Sequence, residues 1–236
     1  MVDQETRSDS LEPVSTALVG LVLAGMAVFF AILLFVPAGR LDWMLGWIYV
    51  GLLSLNFVIT WVCLQLWNPE LIAARMRFSK GTKTWDKVWA ALFAPLIIAI
   101  YIVAGLEKRD GVSSLTETAW PFGLVIFILG SALITWSMVV NPFFEKTVRI
   151  QTDRGHRVID TGPYAYLRHP GYVGFLCWVL SAPLLLASAW ALVPTLLSLV
   201  GIVVRTALED RTLREELPGY TDYTKRVRFR LIPGNW

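Results

Sequence analysis

The sequence predicts an all-α integral membrane protein with about six transmembrane helices, the last two forming a C-terminal helical hairpin. Three observations support this fold class. Hydrophobic residues make up 56% of the 236-residue chain and charged residues only 17%, a composition that is unusual for a water-soluble domain. Apolar runs of bilayer-spanning length recur along the chain. The basic residues between them fall almost entirely in alternate loops.

Four apolar runs precede the hairpin, and none of them contains Asp, Glu, Lys, Arg or His. They cover roughly 16–36, 43–67, 88–106 and 120–140. About 20 apolar residues cross a bilayer as a helix, and a helix satisfies its own backbone hydrogen bonds where water is absent. Each run is therefore predicted to be one transmembrane helix.

The hairpin is predicted from a longer charge-free stretch, Val173 to Val204. A single helix of that length would be about 50 Å long, which is too long for one span. Two prolines interrupt the stretch and Ser188 offers a turn, so two helices near 171–187 and 189–207 are expected. The second helix should continue to Leu217, where Pro-Gly ends it.

The distribution of basic residues predicts the orientation. The N-terminus and the segments 68–87, 141–171 and 205–236 together hold 18 Lys and Arg residues, whereas the alternate loops hold three. Basic loops stay in the cytoplasm, so both termini are predicted to be cytoplasmic. The acidic N-terminal tail has no basic region or cleavage site of a signal peptide, which favours a bacterial inner membrane over the endoplasmic reticulum.

Several classes of function are disfavoured by what the sequence lacks. A net charge of +3 gives no reason to expect nucleic acid as a partner. Two cysteines and two histidines without ligand spacing predict no metal site. Spans without ionisable residues argue against an ion-coupled transporter. Glycine-rich phosphate loops and the common hydrolase motifs are also missing.

The polar residues concentrate in two segments that the hairpin would bring to the same membrane surface. The first is the run 162–172, Gly-Pro-Tyr-Ala-Tyr-Leu-Arg-His-Pro-Gly-Tyr, in which Pro170 is expected to begin a helix. The second contains Arg205 and Glu209, which are four residues apart and share a helix face. Segment 68–87 could form a wall of the same pocket. Residues 148–151 alternate in polarity, as a short strand or an interfacial turn would.

These groups together suit a ligand that carries both a cation and a carboxylate. Glu209 and the tyrosine rings can face a cation, and the helix start at Pro170 can face an anion. S-adenosylmethionine is one candidate of this kind. The structural alternatives are a surface ion pair between Arg205 and Glu209, a basic anchor before Pro170, and tyrosines that belong to an interfacial belt.

Three patterns give a family resemblance. They are G-P-Y-x-Y-x-R-H-P-x-Y-x-G from Gly162, R-x-x-x-E-D-x-x-L from Arg205, and Y-x-x-Y-x-x-x-V-x-x-x-L-I-P from Tyr220. The combination resembles the isoprenylcysteine carboxyl methyltransferase family, and related patterns occur in phospholipid N-methyltransferases. The resemblance covers about 141–236, which suggests a methyltransferase-like region there and a four-span transmembrane region over 1–140.

The resemblance implies S-adenosyl-L-methionine as the cofactor and a lipophilic methyl acceptor that enters from the lipid bilayer. The implied catalytic residues are Arg205, near the acceptor group, and Glu209, which also contacts the cofactor. The implied cofactor-binding residues lie in the loop before the hairpin, at the start of its first helix and on its second helix. They are Gln151, His156, Arg157, Val158, Ile159, Tyr164, His169, Pro170, Gly171, Tyr172 and Glu209.

More than one methyl acceptor and more than one class of function fit the sequence. An isoprenylcysteine-like carboxylate acceptor needs no base and could be oriented by Arg205, whereas a phospholipid amine must lose a proton, to Glu209 or Asp210. The leading alternative function is an NADPH-dependent membrane reductase of the sterol or isoprenoid type, a class that shares the Arg-His-Pro element. A membrane scaffold without enzymatic activity is the third hypothesis.

Overall fold

The computed structural model describes residues 15–76, 81–111, 117–232 and 234, and its architecture is all-helical. Eight α-helices make up the described chain: α1 Thr16–Ala38, α2 Met44–Trp67, α3 Pro69–Met76, α4 Thr84–Asp110, α5 Trp120–Val140, α6 Pro170–Leu185, α7 Leu192–Glu216 and α8 Tyr220–Arg226. Single 3-10 turns occur at Glu117–Ala119, Thr152–Arg154 and Gly162–Ala165. The predicted acidic N-terminal tail lies outside the described residues.

The helices confirm the predicted class of an all-α integral membrane protein. Five of those described, α1, α2, α4, α5 and α7, are long and apolar enough to cross a membrane. The sixth predicted segment, α6, is apolar but has only 16 residues. It begins at Pro170, as predicted, and α7 ends at Glu216 with Leu217 as its cap. Residues 148–151 form no strand.

The closest helix pairing joins α5 to α6, and glycines make it possible. A Cβ atom added to Gly130 would lie 2.7 Å from the carbonyl oxygen of Gly174, and one added to Gly174 would lie 2.7 Å from that of Gly130. The two backbones therefore touch, a packing mode that small residues allow between membrane helices. This contact fixes α6 antiparallel to α5 and places the start of α6 beside the end of α5.

The turn between α6 and α7 is held by a buried acid that the apolar pattern did not reveal. Glu107 was predicted to lie in a loop, but α4 continues to Asp110 and Glu107 is 5% exposed. Its carboxylate accepts hydrogen bonds from the Ser188 hydroxyl and from the backbone N–H groups of Ala189 and Trp190, the last two at 3.1 and 3.0 Å. Glu107 thus caps the predicted turn at Ser188 just before α7 begins.

The opposite end of the bundle, here called the site end, gathers the ends of the long helices and the polar segments. Asn68 donates to the Met138 carbonyl at 2.7 Å, which places the end of α2 beside the end of α5. Trp89 Nε1 donates to the Gly201 carbonyl at 2.7 Å, which places the first half of α4 beside the middle of α7. Segment 68–87, predicted as a loop, contains α3 and the start of α4 at this end.

Candidate active site

A cavity of about 600 Å³ opens within the site end. Its size lies in the range of small-molecule sites. One part is lined by apolar side chains of the transmembrane helices, among them Met26 on α1, Phe57 and Trp61 on α2, and Met138 on α5. The other part is lined by polar groups of the 141–172 segment and of α7. The cavity can therefore hold a polar and an apolar ligand portion side by side.

The structure brings the predicted site residues together around this cavity. Eleven of the twelve line it: Gln151, His156, Arg157, Val158, Ile159, Tyr164, His169, Gly171, Tyr172, Arg205 and Glu209. Pro170 is not among the lining residues, and its place in the structure is the first position of α6. Ile72, Arg75 and Met76 also line the cavity, so segment 68–87 does form one of its walls.

The charged centre of the cavity is Glu209 on α7, which faces the start of α6. The Tyr172 hydroxyl donates to Glu209 Oε2 at 2.5 Å. His169 Nδ1 lies 4.0 Å from Glu209 Oε1. The Glu209 side chain is 23% exposed, so the carboxylate keeps access to the cavity. A carboxylate beside an aromatic ring is a suitable environment for a sulfonium or ammonium group.

Arg205, one turn before Glu209 on α7, is held from several sides. Its Nε atom lies 3.0 Å from Oδ1 of the buried Asp86, and its Nη2 atom donates to the Lys146 carbonyl at 2.8 Å. The guanidinium carbon lies 4.4 Å from the Trp89 ring centroid and 5.7 Å from that of Tyr172. Arg205 is thus a cavity-wall residue with a fixed orientation and a neutralised charge.

Asp210 follows Glu209 but points away from the cavity. Its side chain is fully buried, at 0% exposure. Three guanidinium groups, one histidine ring and one tyrosine hydroxyl lie 3.0 to 3.3 Å from its oxygens. They belong to Arg168, Arg214, Arg230, His169 and Tyr220. These contacts join α7 to the start of α6, to α8 and to the C-terminal tail. Asp210 therefore holds the site together structurally, and the structure gives no support to its predicted alternative use as a base.

The loop before α6 is ordered by its own side chains. Gln151 is 2% exposed, its Nε2 atom donates to the Phe143 carbonyl at 2.8 Å, and its Oε1 atom accepts from Arg154 at 2.7 Å. His156 Nδ1 accepts the Gln151 backbone N–H at 3.3 Å, and its ring lies 4.6 Å from that of Phe143. Burial lowers the pKa of His156 to about 4, so the imidazole is neutral at physiological pH.

Tyr164 closes the same loop against the rest of the site. Its hydroxyl accepts from Asn141 Nδ2 at 3.1 Å, and its carbonyl accepts from the Tyr223 hydroxyl of α8 at 2.7 Å. Burial raises the pKa of Tyr164, so its hydroxyl stays protonated and serves as a neutral hydrogen-bonding group. The backbone N–H groups of Arg168 and His169 donate to the carbonyls of Phe229 and Arg230, which anchors the tail beside the start of α6.

Comparison with known proteins shows which family the chain resembles. The model of the isoprenylcysteine carboxyl methyltransferase family matches residues 123–215. A protein-S-isoprenylcysteine O-methyltransferase of Schizosaccharomyces pombe is 33% identical over 169 residues, which cover 68% of this chain and 64% of that protein. Over these residues the chain is similar to the isoprenylcysteine carboxyl methyltransferase family. The family match includes α5 and so begins earlier than the resemblance at 141–236.

Two further members extend the comparison. A protein-S-isoprenylcysteine O-methyltransferase of Saccharomyces cerevisiae is 23% identical over 147 residues, 62% of this chain and 61% of that protein. The matched part of the chain thus spans less than two thirds of either relative. A solved structure of a eukaryotic intramembrane Ras methyltransferase of this family superimposes with a TM-score of 0.51 at 19% identity, covering 94% of this chain and 87% of that one. The chain therefore shares its fold with that structure along nearly its whole length.

Two site residues of this chain were missed by sequence reasoning. Asp86 is 2% exposed, accepts the Val148 backbone N–H at 2.8 Å and pairs with Arg205. A lone acid in the first turn of a helix usually indicates only a favourable interaction with the helix dipole. The sequence position of Asp86 therefore did not indicate a site residue. Arg75 was counted as one of the basic loop residues, but it lines the cavity. Only the tertiary contacts distinguish it from the other loop cations.

Proposed function

We propose that this protein is an integral membrane, S-adenosylmethionine-dependent methyltransferase of the isoprenylcysteine carboxyl methyltransferase family, which methylates the carboxyl group of an isoprenylated cysteine or a similar lipophilic acid. The observation that carries the proposal is the single cavity in which Glu209, Tyr172 and Arg205 form a polar part next to an apolar part. The two fungal relatives are named protein-S-isoprenylcysteine O-methyltransferases, which is why a carboxyl oxygen is proposed as the acceptor.

The residues around the polar part fit S-adenosylmethionine. The Glu209 carboxylate and the Tyr172 ring offer an environment for positive charge. Gly171 lies in the first turn of α6, where its backbone N–H has no acceptor within the helix and can bind a carboxylate, whereas the N–H groups of Tyr172 and Val173 donate to the His169 carbonyl. When bound there, the sulfonium supplies its methyl carbon: a C–O bond to the acceptor forms, the C–S bond breaks, and the electron pair stays on sulfur.

The chain then has to bind the donor and the acceptor, orient them and exclude water. These tasks suffice because methylation of a carboxylate transfers no proton. Alignment of donor and acceptor supplies much of such a rate enhancement. The apolar part of the cavity would hold the acceptor tail and keep water from the reacting atoms. Glu209 would hold the positive donor close to the acceptor, and Arg205, fixed by Asp86, would shape the wall beside it.

The proposal also covers the membrane orientation of the protein, the membrane in which it lies and the roles of its two regions. Both termini and the site end would face the cytoplasm, where the donor is available, and a bacterial inner membrane is favoured. The region from 141 to 236 would carry the cofactor contacts, and the four spans before it would mainly hold the acceptor tail. The acceptor would reach the cavity from the lipid bilayer.

The test is calorimetric titration of the detergent-purified protein with S-adenosylhomocysteine, with wild type beside Glu209→Ala. We expect micromolar binding to the wild type and loss of binding in the variant. Glu215→Ala is the matched control, because Glu215 lies on the same helix and, among the residues that the structure describes, pairs only with the exposed Arg211. Methyl transfer from labelled S-adenosylmethionine to N-acetyl-S-farnesylcysteine is the second readout. A folded wild type that binds NADPH instead of S-adenosylhomocysteine would contradict the proposal and favour the reductase.

A further inference from the structure

Arg75, at the end of α3, is a cation in the cavity wall and has no assigned role in the proposed reaction. It is half-buried, and it lines the cavity beside Ile72 and Phe144. Its Nη1 atom donates to the Phe144 carbonyl at 2.9 Å, and its guanidinium carbon lies 5.9 Å from the Phe144 ring centroid. Burial lowers the pKa of Arg75 to about 10, so the group remains charged at neutral pH.

The charge of Arg75 is much less compensated than that of Arg205. A guanidinium has five N–H donors, and the one hydrogen bond of Arg75 within the described part of the chain goes to a neutral carbonyl. The nearby acid is Glu145, whose carboxylate is engaged by Arg149 at 2.9 Å and lies 3.7 Å from Arg154. A partly buried cation whose remaining donors have no protein acceptor is costly unless a ligand satisfies it.

Arg75 also stands where the polar and apolar parts of the cavity meet. On one side are the apolar residues Leu64, Ile72 and Met138, which form a cluster against Phe144. On the other side is the start of α6, because Gly171 packs so tightly against the same Phe144 ring that a Cβ atom there would overlap it. The ring thus connects Arg75 to the segment that carries Tyr172 and, through its hydroxyl, Glu209.

We propose that Arg75 binds the carboxylate of the methyl acceptor and selects acceptors that carry a free acid. This inference rests on the proposed function and assigns its acceptor contact to Arg75 rather than to Arg205. The Arg205 guanidinium is already neutralised by Asp86 and enclosed by two aromatic rings, whereas the Arg75 fork can take a carboxylate in a two-point hydrogen bond. The tail of the acceptor would then extend along the apolar cluster.

The assignment has a consequence for product release. Methylation converts the carboxylate into a neutral ester, which no longer offers the two anionic oxygens that pair with the guanidinium fork of Arg75. The cation therefore loses its partner as the C–O bond forms, and the product should bind more weakly than the substrate. The difference in affinity between acid and ester is a direct readout of the Arg75 contact.

The experiment compares Arg75→Met and Arg75→Lys with wild type in the presence of saturating S-adenosylhomocysteine. Dissociation constants are measured for N-acetyl-S-farnesylcysteine and for its methyl ester. For Arg75→Met we expect the acid to bind about tenfold or more weakly, the usual scale for a lost hydrogen bond to a charged group, with the ester unchanged. Arg75→Lys should recover part of the preference for the acid, because it keeps the charge and loses the fork. Arg211→Met, at an exposed position, is the control.

The inference is overturned if Arg75→Met keeps the acid-to-ester preference of the wild type. It is also overturned if acid, ester and S-adenosylhomocysteine all weaken together, because that result means that Arg75 only supports the Phe144 backbone. Failure of the proposed function would look different, since the wild type itself would then bind no S-adenosylhomocysteine and would not methylate N-acetyl-S-farnesylcysteine.

Discussion

Replacing Asp210 by Asn should strongly destabilise the site end. The carboxylate is fully buried, and the Nε atoms of Arg168, Arg214 and Arg230 each lie 3.0 Å from one of its oxygens. The substitution keeps the shape of the side chain but removes the negative charge that holds these three cations. Arg168 suffers most, because its own side chain is only 4% exposed.

The expected loss follows from the cost of breaking a buried ion pair. Removing one partner of such a pair costs about 3–5 kcal/mol, since the other charge stays buried. For a chain of this size each kcal/mol shifts the unfolding midpoint by about 2–4 °C. The midpoint of Asp210→Asn should therefore fall by about 6–20 °C. The His169 ring, which lies 3.3 Å from Asp210, would also lose its anchor beside the cavity.

Thermal unfolding of the detergent-solubilised protein, followed by fluorescence of its 11 tryptophans at a fixed scan rate, measures the effect. Asp222→Asn is the matched control, because Asp222 is 78% exposed and pairs with Lys225 at 2.7 Å on the surface of α8. A surface pair contributes about 0–1 kcal/mol, so the control should shift the midpoint by only a few degrees. Equal shifts for the two variants would refute the argument that burial makes the Asp210 cluster important.

Three further predictions concern other parts of the chain. Gly174→Leu should destabilise the α5–α6 contact by about 1–3 kcal/mol or more, because backbone atoms cannot move aside, whereas Gly25→Leu, with open space around it, should be tolerated in the same thermal assay. Glu107→Ala should cost about 2–4 kcal/mol because it leaves the donors of the α6–α7 turn without an acceptor; a loss below 1 kcal/mol in denaturant titration would contradict this. Because the pKa of His156 is lowered to about 4 from an ordinary 6.5, the unfolded state binds a proton that the folded state rejects. Stability should thus fall as the pH drops from about 6.5 to 4, and His156→Gln should lose this part of the pH dependence.

Most of the fold could be predicted because it depends on local properties of the sequence. The apolar run 120–140 corresponds residue for residue to α5, since its composition alone decides whether a segment can enter lipid. The start of α6 at Pro170 was equally predictable, because proline is favoured in the first turn of a helix, where its missing N–H costs no hydrogen bond. Glu107 was misplaced for the opposite reason: its burial depends on the turn at Ser188, which is 81 residues away in the chain.

Only those site residues that belong to the sequence motifs could be predicted. Eleven predicted residues surround one cavity because the hairpin returns the chain to the membrane surface from which it left. The roles of the charges within the site could not be deduced from spacing. Arg205 and Glu209 share a helix face, yet Arg205 pairs with Asp86, 119 residues earlier, and Glu209 is held by Tyr172 of α6.

The sequence by itself determined the membrane-spanning helices, the hairpin and the set of residues that gather at its open end, because hydrophobic length and helix-terminating residues act over a few turns of chain. Only the tertiary structure decided which charges are satisfied and which remain available. Asp210, next to Glu209 in sequence, is enclosed by three arginines, whereas Arg75, one cation among many in the loops, faces the cavity. The physical reason is that the effect of a charge depends on its partners and its burial, and both are set by residues far away in the chain.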